Sequence, residues 1–499
     1  MEIQINGLDE RFRQQLRLIG NIFFDDVDIV FADHPAADMV VDFELAVSRK
    51  IKVRAVLDDK KGKTYSSFCE KPFPTRADQK EQFKSVKRAV SHAYLTVLQK
   101  FTGTIHKWGI LLGIRPVKLL HKLLLESGSP AEARRILQED YLLAGEKIAL
   151  MQEIIDRQLA ALPDLYQLHK EVSIYIGIPY CPTRCAYCTF PAYAIHAYRD
   201  SVAPFLAGLL YEIRKVGEWL KERQINITTV YFGGGTPTSI PAEDMDRIFA
   251  EMHRTFPNAE NIREITVEAG RPDTITAEKL QVLKKWKVDR ISINPQSYLQ
   301  ETLKAIGRHH TVEETIEKFC LARKMGMDNI NMDLIIGLPG EGVNEFAHSL
   351  QKTEELMPES LTIHTLSFKR ASEMTKNREK YPVASHEEAE KMMELAQKWT
   401  KDHGYHPYYL YRQKNILGNL ENIGYCLPGK ECLYNIIIME EKQTIIGLGC
   451  GAASKFVDGF SGKITRLANP KDPKSYLESF RDYTEKKLRL LDKTFPESR

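Results

Sequence analysis

The sequence has no strong excess of either charge and no long apolar run. Its 499 residues carry 70 Lys and Arg against 67 Asp and Glu, a net charge of +3. This balance gives no electrostatic case for nucleic acid or an anionic membrane as a partner. No uncharged apolar run approaches the ~20 residues of a membrane span, and the N-terminus, MEIQINGLDERFRQQ, is too polar for a signal peptide. We therefore expect a cytoplasmic protein without a membrane span.

Cysteine is also scarce, with eight residues in 499. Without an export signal, so few cysteines argue against a disulfide framework. Their distribution is uneven, because three of them fall within eight residues. In a reducing compartment such a group predicts metal binding or redox chemistry. The eight are Cys69, Cys181, Cys185, Cys188, Cys320, Cys426, Cys432 and Cys450.

The hydrophobic pattern divides the chain into three predicted domains, 1–165, 166–366 and 367–499. The first mixes β-branched runs with helical periodicity and predicts an α+β domain of unknown role. Its predicted strands are 26–31, 39–47 and 51–57, and its predicted helices are 81–101 and 107–128. The last region loses the regular period and predicts a C-terminal cap that contacts the substrate.

The middle region alternates short apolar runs with amphipathic helical stretches. The runs are 173–178, 227–234, 263–269, 288–294, 329–338 and 360–366. Six such units in a row predict an α/β fold, a parallel sheet curled into a partial (β/α)6 barrel. In such folds the chemistry lies at the carboxyl ends of the strands, and the polar motifs of this region do follow the predicted strands.

The strongest motif follows the first of these strands, where PYCPTRCAYC places Cys181, Cys185 and Cys188 on one loop. Zinc normally takes four protein ligands, and no second cysteine pair of suitable spacing is present. A [4Fe–4S] cluster normally takes four thiolates, so three leave one iron open to a ligand. The motif therefore predicts a [4Fe–4S] cluster with an open position, with a zinc loop as the alternative.

This CxxxCxxC loop, with Tyr187 before the last cysteine, resembles the radical S-adenosylmethionine (SAM) superfamily. The second strand ends in YFGGGTPT (231–238), whose glycines we expect to approach a ligand closely and to leave backbone N–H groups free. This motif resembles that of the oxygen-independent coproporphyrinogen III oxidase (dehydrogenase) branch. Four further segments resemble the same branch, at residues 292–297, 307–310, 331–340 and 447–454. Within the branch, the long N-terminal region resembles the HemZ type.

The resemblance implies which residues hold the cofactors. It implies that Cys181, Cys185 and Cys188 hold the cluster, whose open iron chelates SAM. It assigns Tyr175, Gly234 and Glu268 to that SAM. It assigns a further group to a second SAM found in some members: Tyr187, Gly235, Thr236, Gln296, Arg308 and Asp333. As polar groups at strand ends, Glu268, Gln296 and Asp333 are ligand candidates on position alone.

The activity implied is radical-SAM oxidative decarboxylation of coproporphyrinogen III propionates to vinyl groups. It needs an electron donor and an electron acceptor, which the sequence does not identify. The tetracarboxylate substrate needs cations, for which Arg308, Lys369, Arg370 and Arg412 are candidates. Phe190 stands where some relatives have a further cysteine, which bears on the second SAM site.

Two alternatives remain: a haem-binding chaperone, and an enzyme acting on another tetrapyrrole. Tyr434 occupies the position of the chaperone motif's histidine, which argues against a haem carrier.

The other cysteines and histidines give weaker predictions. Cys69 and Cys320 are expected to be buried thiols. The spacing of Cys426, Cys432 and Cys450 matches no familiar ligand pattern, so an auxiliary cluster there is the minor alternative. His309 and His310 are candidates for proton transfer near the pocket, with a structural hydrogen bond as the other alternative.

Overall fold

The structure is a computed structural model that describes residues 1–24, 26–113, 115–369, 371–459 and 461–496. The chain forms two compact units, Met1–Gln152 and Glu153–Arg499. The division into 1–165, 166–366 and 367–499 stays a prediction. Arg370, one of the predicted substrate cations, lies outside the described residues.

The first unit is built on a mixed sheet with helices packed on one face. Its described strands are β1 (Glu2–Asn6), β2 (Asp28–Val30), β3 (Met39–Val47), β4 (Lys50–Asp58) and β5 (Thr64–Pro72), in the order β2-β1-β3-β4-β5. Its helices are α1 (Arg13–Phe23), α2 (Gln79–Thr102), α3 (Pro116–Ser127) and α4 (Pro130–Glu139). Alternate residues of β4 are buried, as expected for a strand with one face against helices.

The helix predicted over 107–128 is shorter than expected. Arg115 has φ −126° and ψ 78°, and Pro116 is the first helical residue. The residue before a proline is sterically kept out of the α region, so the helix begins at the proline. Gly128, with φ 62°, ends it as predicted.

The second unit contains the predicted parallel sheet. Its strands are β6 (Val172–Ile178), β7 (Tyr180–Cys181), β8 (Tyr193–Ala194), β9 (Ile227–Gly234), β10 (Glu264–Glu268), β11 (Arg290–Ser292), β12 (Ile330–Ile336), β13 (Ser360–Thr365), β14 (His406–Tyr411), β15 (Asn422–Cys426), β16 (Thr444–Gly449), β17 (Ala453–Val457) and β18 (Ile464–Ala468). Its helices, with α5 leading into it, are α5 (Gly145–Ala161), α6 (Arg199–Glu222), α7 (Ala242–Thr255), α8 (Ala277–Lys285), α9 (Gln300–Ala305), α10 (Val312–Lys324), α11 (Val343–Leu356), α12 (Glu373–Lys376), α13 (His386–Asp402), α14 (Leu433–Glu440) and α15 (Pro473–Thr494).

The large sheet is open, with β14 and β18 at its two edges in the described part of the chain. The strands β6, β9, β10, β11, β12 and β13 are parallel neighbours, and each lies where the sequence predicts it. They are buried on both faces, and β6 and β12 are nearly continuous apolar runs, as is typical of parallel strands. The predicted α/β fold with a partial barrel is therefore confirmed.

The residues predicted as a C-terminal cap supply β14 to β18, which extend both edges of this sheet. β15 pairs antiparallel with β13, whereas β16 pairs parallel with β6, the strand that leads into the cysteine loop. Because these strands add at opposite edges, their spacing in sequence carries no regular period. None of the helices in the described residues is long and apolar enough to span a membrane.

Candidate functional site

All twelve predicted site residues line one cavity at the carboxyl ends of the parallel strands. The cavity has a volume of about 470 Å³, within the ~300–1,000 Å³ typical of small-molecule sites. The residues are Tyr175, Cys181, Cys185, Tyr187, Cys188, Gly234, Gly235, Thr236, Glu268, Gln296, Arg308 and Asp333. The structure thus brings together every predicted position, while the role of each stays a prediction.

The cysteine loop forms one wall of this cavity. Cys181 lies in β7, which pairs with β8, and its Sγ is 3.3 Å from Oγ1 of Thr236. Burial raises the pKa of Cys181 to about 11; Thr236 offsets part of the shift, while Cys185 and Cys188 add to it. Cys185 and Cys188 are half-buried and complete the loop.

The three thiols lie on one loop of the cavity wall, and no second cysteine pair of zinc-site spacing accompanies them in the sequence. A structural zinc site normally takes four protein ligands. A [4Fe–4S] cluster held by three thiolates keeps one iron open to a ligand. The donor set therefore fits a cluster with an open position better than a closed zinc site.

The glycine run packs against the cysteine loop instead of presenting free N–H groups. The N–H groups of Gly235 and Thr236 donate to the carbonyls of Ile178 and Tyr180, both at 2.7 Å. A Cβ at Gly235 would lie 2.5 Å from the Tyr180 oxygen, and Gly234 has φ +107°. The expectation of free N–H groups is wrong for Gly235 and Thr236. Glycine is needed there because two backbones meet closely.

Glu268 ends β10 and faces the cavity beside a stack of tyrosines. Its Oε1 accepts a 2.6 Å hydrogen bond from the hydroxyl of Tyr231. Burial raises the pKa of Glu268 to about 7, although the Tyr231 hydroxyl offsets part of the shift. The ring of Tyr231 stacks on Tyr434 at 4.5 Å between centroids and on Tyr175 at 6.2 Å. The carboxyl group is thus held in one orientation by an aromatic wall.

Asp333 belongs to a hydrogen-bonded network across two strands. Its Oδ1 accepts from Nδ2 of Asn331 at 2.7 Å, and its Oδ2 lies 3.4 Å from Nε2 of His364 on β13. Nδ1 of His364 lies 3.1 Å from the hydroxyl of Tyr411. Burial opposes ionisation of Asp333, but His364 and Asn331 together outweigh it, so its pKa lies below the usual value. The network presents a carboxylate to the cavity.

Gln296 and Arg308 also line the cavity, and Arg308 lies beside the cysteine loop. Gln296 has φ 67°, and its backbone N–H donates to the carbonyl of Asp333 at 2.9 Å. Arg308 donates to the carbonyls of Gly270 and Asn294 at 2.8 and 2.7 Å. Burial raises the pKa of Tyr187 well above its usual value, although the neighbouring Arg308 offsets part of the shift.

Several buried polar atoms on the cavity wall have no hydrogen-bond partner within the described residues. An unpartnered buried polar atom costs free energy, so such atoms indicate a ligand that would complete them. They therefore fit a polar ligand such as SAM better than an apolar one. The atoms are Ser292 Oγ, Asn294 Oδ1, Gln296 Oε1, Arg290 Nε and Arg308 Nε.

Two of the predicted substrate cations, Arg308 and Lys369, line the cavity. Arg412 does not: its guanidinium donates to the carbonyls of Asn419 and Leu420 and is buried there, so that prediction is wrong. A buried guanidinium satisfies its donors with nearby carbonyls, which removes it from the cavity. Sequence reasoning also missed six cavity residues, of which Arg271, Asn294 and His364 stand near or just after the ends of predicted strands. They are Tyr231, Arg271, Arg290, Asn294, His364 and Tyr411.

The structure bears on three weaker sets of predictions, for Cys320, Cys69 and the pair His309 and His310. Cys320 is exposed, because α10 buries the face of Thr315, Phe319 and Ala322, which its side chain does not share. Cys69 is buried as predicted. His309 and His310 are not among the residues that line the cavity.

The contacts of the three C-terminal cysteines, Cys426, Cys432 and Cys450, are those of buried structural thiols. The thiol of Cys432 donates to Glu264 at 3.3 Å, and that of Cys450 donates to the carbonyl of Pro470 at 3.3 Å. Cys426 is fully buried in the apolar cluster that also contains Cys432. Burial raises the pKa of the Cys432 and Cys450 thiols to about 12.

Comparison with known proteins agrees with this geometry. The model of the radical SAM superfamily matches residues 175–353. The oxygen-independent coproporphyrinogen-III oxidase-like protein HemZ of Bacillus subtilis is 62% identical over 496 residues, covering 99% of each chain. The haem chaperone HemW of the same organism is 31% identical over 310 residues, covering 61% of this chain and 75% of HemW. Among solved structures, the Escherichia coli coproporphyrinogen III oxidase HemN matches with a TM-score of 0.52 at 21% identity, covering 68% of this chain and 74% of that one.

The fold and the cysteine-lined cavity thus define a radical SAM protein, a class that implies a [4Fe–4S] cluster and SAM. The chain belongs to the family of oxygen-independent coproporphyrinogen-III oxidase-like proteins of the HemZ type.

Proposed function

We propose that this protein oxidatively decarboxylates propionate side chains of coproporphyrinogen III to vinyl groups, giving protoporphyrinogen IX. The proposal rests on one observation: three thiols, unpartnered polar atoms and several cations line the same cavity. The HemZ and HemN relatives, which are named for coproporphyrinogen oxidation, support the choice of substrate.

Cys181, Cys185 and Cys188 would hold the cluster, and Tyr175, Gly234 and Glu268 would contact the SAM bound to it. When bound, the reduced cluster and SAM together supply a radical able to take a hydrogen atom from an unactivated C–H bond. Each propionate then loses one hydrogen atom from its β-carbon, its carboxyl group as CO2, and one electron to an acceptor. The conversion happens twice for each protoporphyrinogen completed.

In this proposal the residues of the cavity bind and orient the ligands and shield the reactive intermediate from water. The tyrosine stack and the cysteine loop exclude water from the space between them, which protects a reactive intermediate from side reactions. Glu268 and Asp333 are fixed by hydrogen bonds to Tyr231 and Asn331. Fixed partners keep the bound groups in one geometry, which is how an enzyme shortens the approach of reacting atoms.

Gln296, Arg308 and Asp333 would contact either a second SAM or the substrate. Tyr187, Gly235 and Thr236 would take part in the same contacts. The unpartnered Oε1 of Gln296 and Nε of Arg308 support a polar ligand there. Equilibrium dialysis of the reconstituted protein with radiolabelled SAM separates the options. Two bound SAM molecules, falling to one in Gln296→Ala, would support the second site, whereas one SAM with unaltered turnover in the Gln296, Arg308 and Asp333 variants would remove both options.

A haem-chaperone role is the second candidate, favoured by the 31% identity to HemW. The structure argues against the equivalent haem ligand, because Tyr434 is 3% exposed and its ring is stacked on Tyr231. Tyrosine ligates haem in some proteins, but a hydroxyl group buried in this stack would have to leave it first.

A paired assay on one anaerobically reconstituted sample tests the proposal. Incubation with SAM, reductant and coproporphyrinogen III should give the vinyl product by mass, with two CO2 per protoporphyrinogen. Haem should not be retained after gel filtration. Tight haem retention without a decarboxylated product would favour the chaperone. SAM cleavage without either outcome would leave only the radical SAM assignment, with a different substrate.

A further inference from the structure

The mouth of the cavity carries an exposed aromatic ring directly after the cysteine loop. Phe190 follows Cys188 by two residues and lines the cavity, yet its side chain is 59% exposed. Single exposed apolar side chains are common on protein surfaces, so it is the position of Phe190 at the cavity, and not its exposure, that makes it a candidate ligand contact. A ring in this position offers a flat apolar face to whatever enters.

A lysine lies against the same ring. Nζ of Lys369 is 5.8 Å from the centroid of Phe190, and Lys369 also lines the cavity. The two side chains thus present one cation and one ring face at a common point of the mouth. Such a pair suits a ligand with an aromatic plane and an anionic group close together.

Lys369 differs from the other cavity cations in what it contacts. Arg271 is paired with Asp273 at 2.9 Å, Arg290 donates to Oγ of Ser360, and Arg308 donates to two carbonyls. In the described ranges, by contrast, the ammonium group of Lys369 has neither a hydrogen-bond acceptor nor an ion pair; besides the Phe190 ring, its electrostatic neighbour is the Cys188 thiol. Arg290 and Arg308 each keep one unpartnered Nε, but the Nη2 of each is held by protein oxygens. The whole ammonium group of Lys369, by contrast, is available to a carboxylate of the ligand.

We propose that Lys369 and Phe190 form the substrate anchor at the cavity mouth, an inference that rests on the proposed tetrapyrrole substrate. Lys369 binds a propionate that is not reacting, and Phe190 stacks on the adjoining pyrrole ring. Holding a remote carboxylate at the mouth directs another propionate inward, towards the cysteine wall. The anchor thereby selects substrates in which a planar ring carries carboxylates on flexible arms.

Binding of coproporphyrin III, the fluorescent oxidised form of the substrate, tests the anchor without requiring turnover. The reconstituted protein is titrated anaerobically and the Kd is read from the change in porphyrin fluorescence. Lys369→Ala should weaken binding about tenfold or more, since a hydrogen bond to a charged group is lost. Lys369→Arg should retain most of the affinity, and added salt should weaken the wild type more than Lys369→Ala.

The ring is tested by a second series. Phe190→Ala should weaken binding about twofold to tenfold, whereas Phe190→Trp should bind as well as the wild type, because stacking needs a ring face. Matched controls are Lys380→Ala, an exposed lysine that does not line the cavity, and Phe68→Ala, a ring that is 60% exposed in the first unit. Both controls should bind like the wild type.

The outcomes separate the anchor from the proposed reaction. Equal affinity in Lys369→Ala, Phe190→Ala and the wild type would overturn the anchor even if the vinyl product forms. Loss of affinity in the two variants, with no decarboxylation by the wild type, would overturn the reaction and keep the anchor. A wild-type protein that neither binds coproporphyrin III nor forms vinyl product would overturn both.

Discussion

Glu212 on α6 and Lys487 on α15 form an ion pair of 2.8 Å in which neither side chain is exposed to solvent. Glu212 also accepts hydrogen bonds from the backbone N–H of Gly449 and from the hydroxyl of Tyr476. The pair therefore ties two outer helices to the end of β16, which is the neighbour of the strand that leads into the cysteine loop.

Removing one partner of this pair should destabilise the fold strongly. Lys487→Met leaves the Glu212 charge buried and unpaired, which costs about 3–5 kcal/mol, so the midpoint of urea unfolding should fall markedly. The double variant Glu212→Gln, Lys487→Met should recover much of the loss, because no buried charge remains and the amide oxygen can still accept from Gly449 and Tyr476. The control is Lys215→Ala, whose exposed pair with Glu218 is worth less than about 1 kcal/mol. Equal midpoints for Lys487→Met and Lys215→Ala would contradict this account of the pair.

The three cysteines of the loop should hold one oxygen-labile iron–sulfur cluster. Changing Cys181, Cys185 or Cys188 to Ala removes one thiolate ligand, and the iron and sulfide content and SAM cleavage should be lost. Cys320→Ala, on the exposed face of α10, should keep both. Iron and sulfide that persist in the triple Ala variant would show that the cluster lies elsewhere. A partial fall would direct attention to Cys426, Cys432 and Cys450.

Glu268 should contribute to SAM binding without holding the cluster. Glu268→Ala leaves the polar group it contacts unpartnered, which costs about 1–3 kcal/mol, or roughly tenfold to a hundredfold in Kd. Equilibrium binding of SAM should show this loss while the iron content stays that of the wild type. Glu278→Ala, at the surface end of α8, serves as the control. Unchanged SAM affinity in Glu268→Ala would mean that a different carboxylate is involved.

The same carboxyl group should make stability depend on pH. Its pKa is raised from 4.5 to about 7 by burial, so the folded state binds this proton more tightly than the unfolded state. The contribution is fully present below pH 4.5 and is lost as pH rises through 7. A shift of that size is worth about 3 kcal/mol.

Glu268→Gln cannot ionise and isolates this effect. The melting temperature of the wild type, relative to Glu268→Gln, should therefore fall between pH 5 and pH 8. Glu218→Gln, an exposed carboxyl on α6, is the matched variant and should show no such trend. A constant difference between wild type and Glu268→Gln across this range would mean that Glu268 is ionised in the fold at low pH.

The sequence predicts the parallel strands well because each is an apolar run followed by an amphipathic helix. Glu268, Gln296 and Asp333 are predicted from their positions at strand ends and the three cysteines from their spacing, whereas the other six residues come from the family resemblance; all twelve line the cavity. Other features depend on pairing between distant segments. The contact of β16 with β6 joins residues about 270 positions apart, and no local pattern records it.

The wrong predictions have the same origin. Arg412 is a plausible substrate cation until the loop at Asn419 and Leu420 is placed beside it. Cys320 shares spacing with Ile316, but the buried face of α10 is set by Phe319 and Ala322. Each depends on a partner that only the folded chain supplies.

Transfer of deuterium is the most direct test of the central claim, that a radical generated in this cavity removes a hydrogen atom from a propionate. Coproporphyrinogen III deuterated at the propionate β-carbons is incubated anaerobically with the reconstituted protein, SAM and reductant. The account predicts deuterium in the 5′-deoxyadenosine, formed in step with CO2 and vinyl product. Cleavage of SAM to 5′-deoxyadenosine without deuterium, while the porphyrinogen is recovered unchanged, would contradict it.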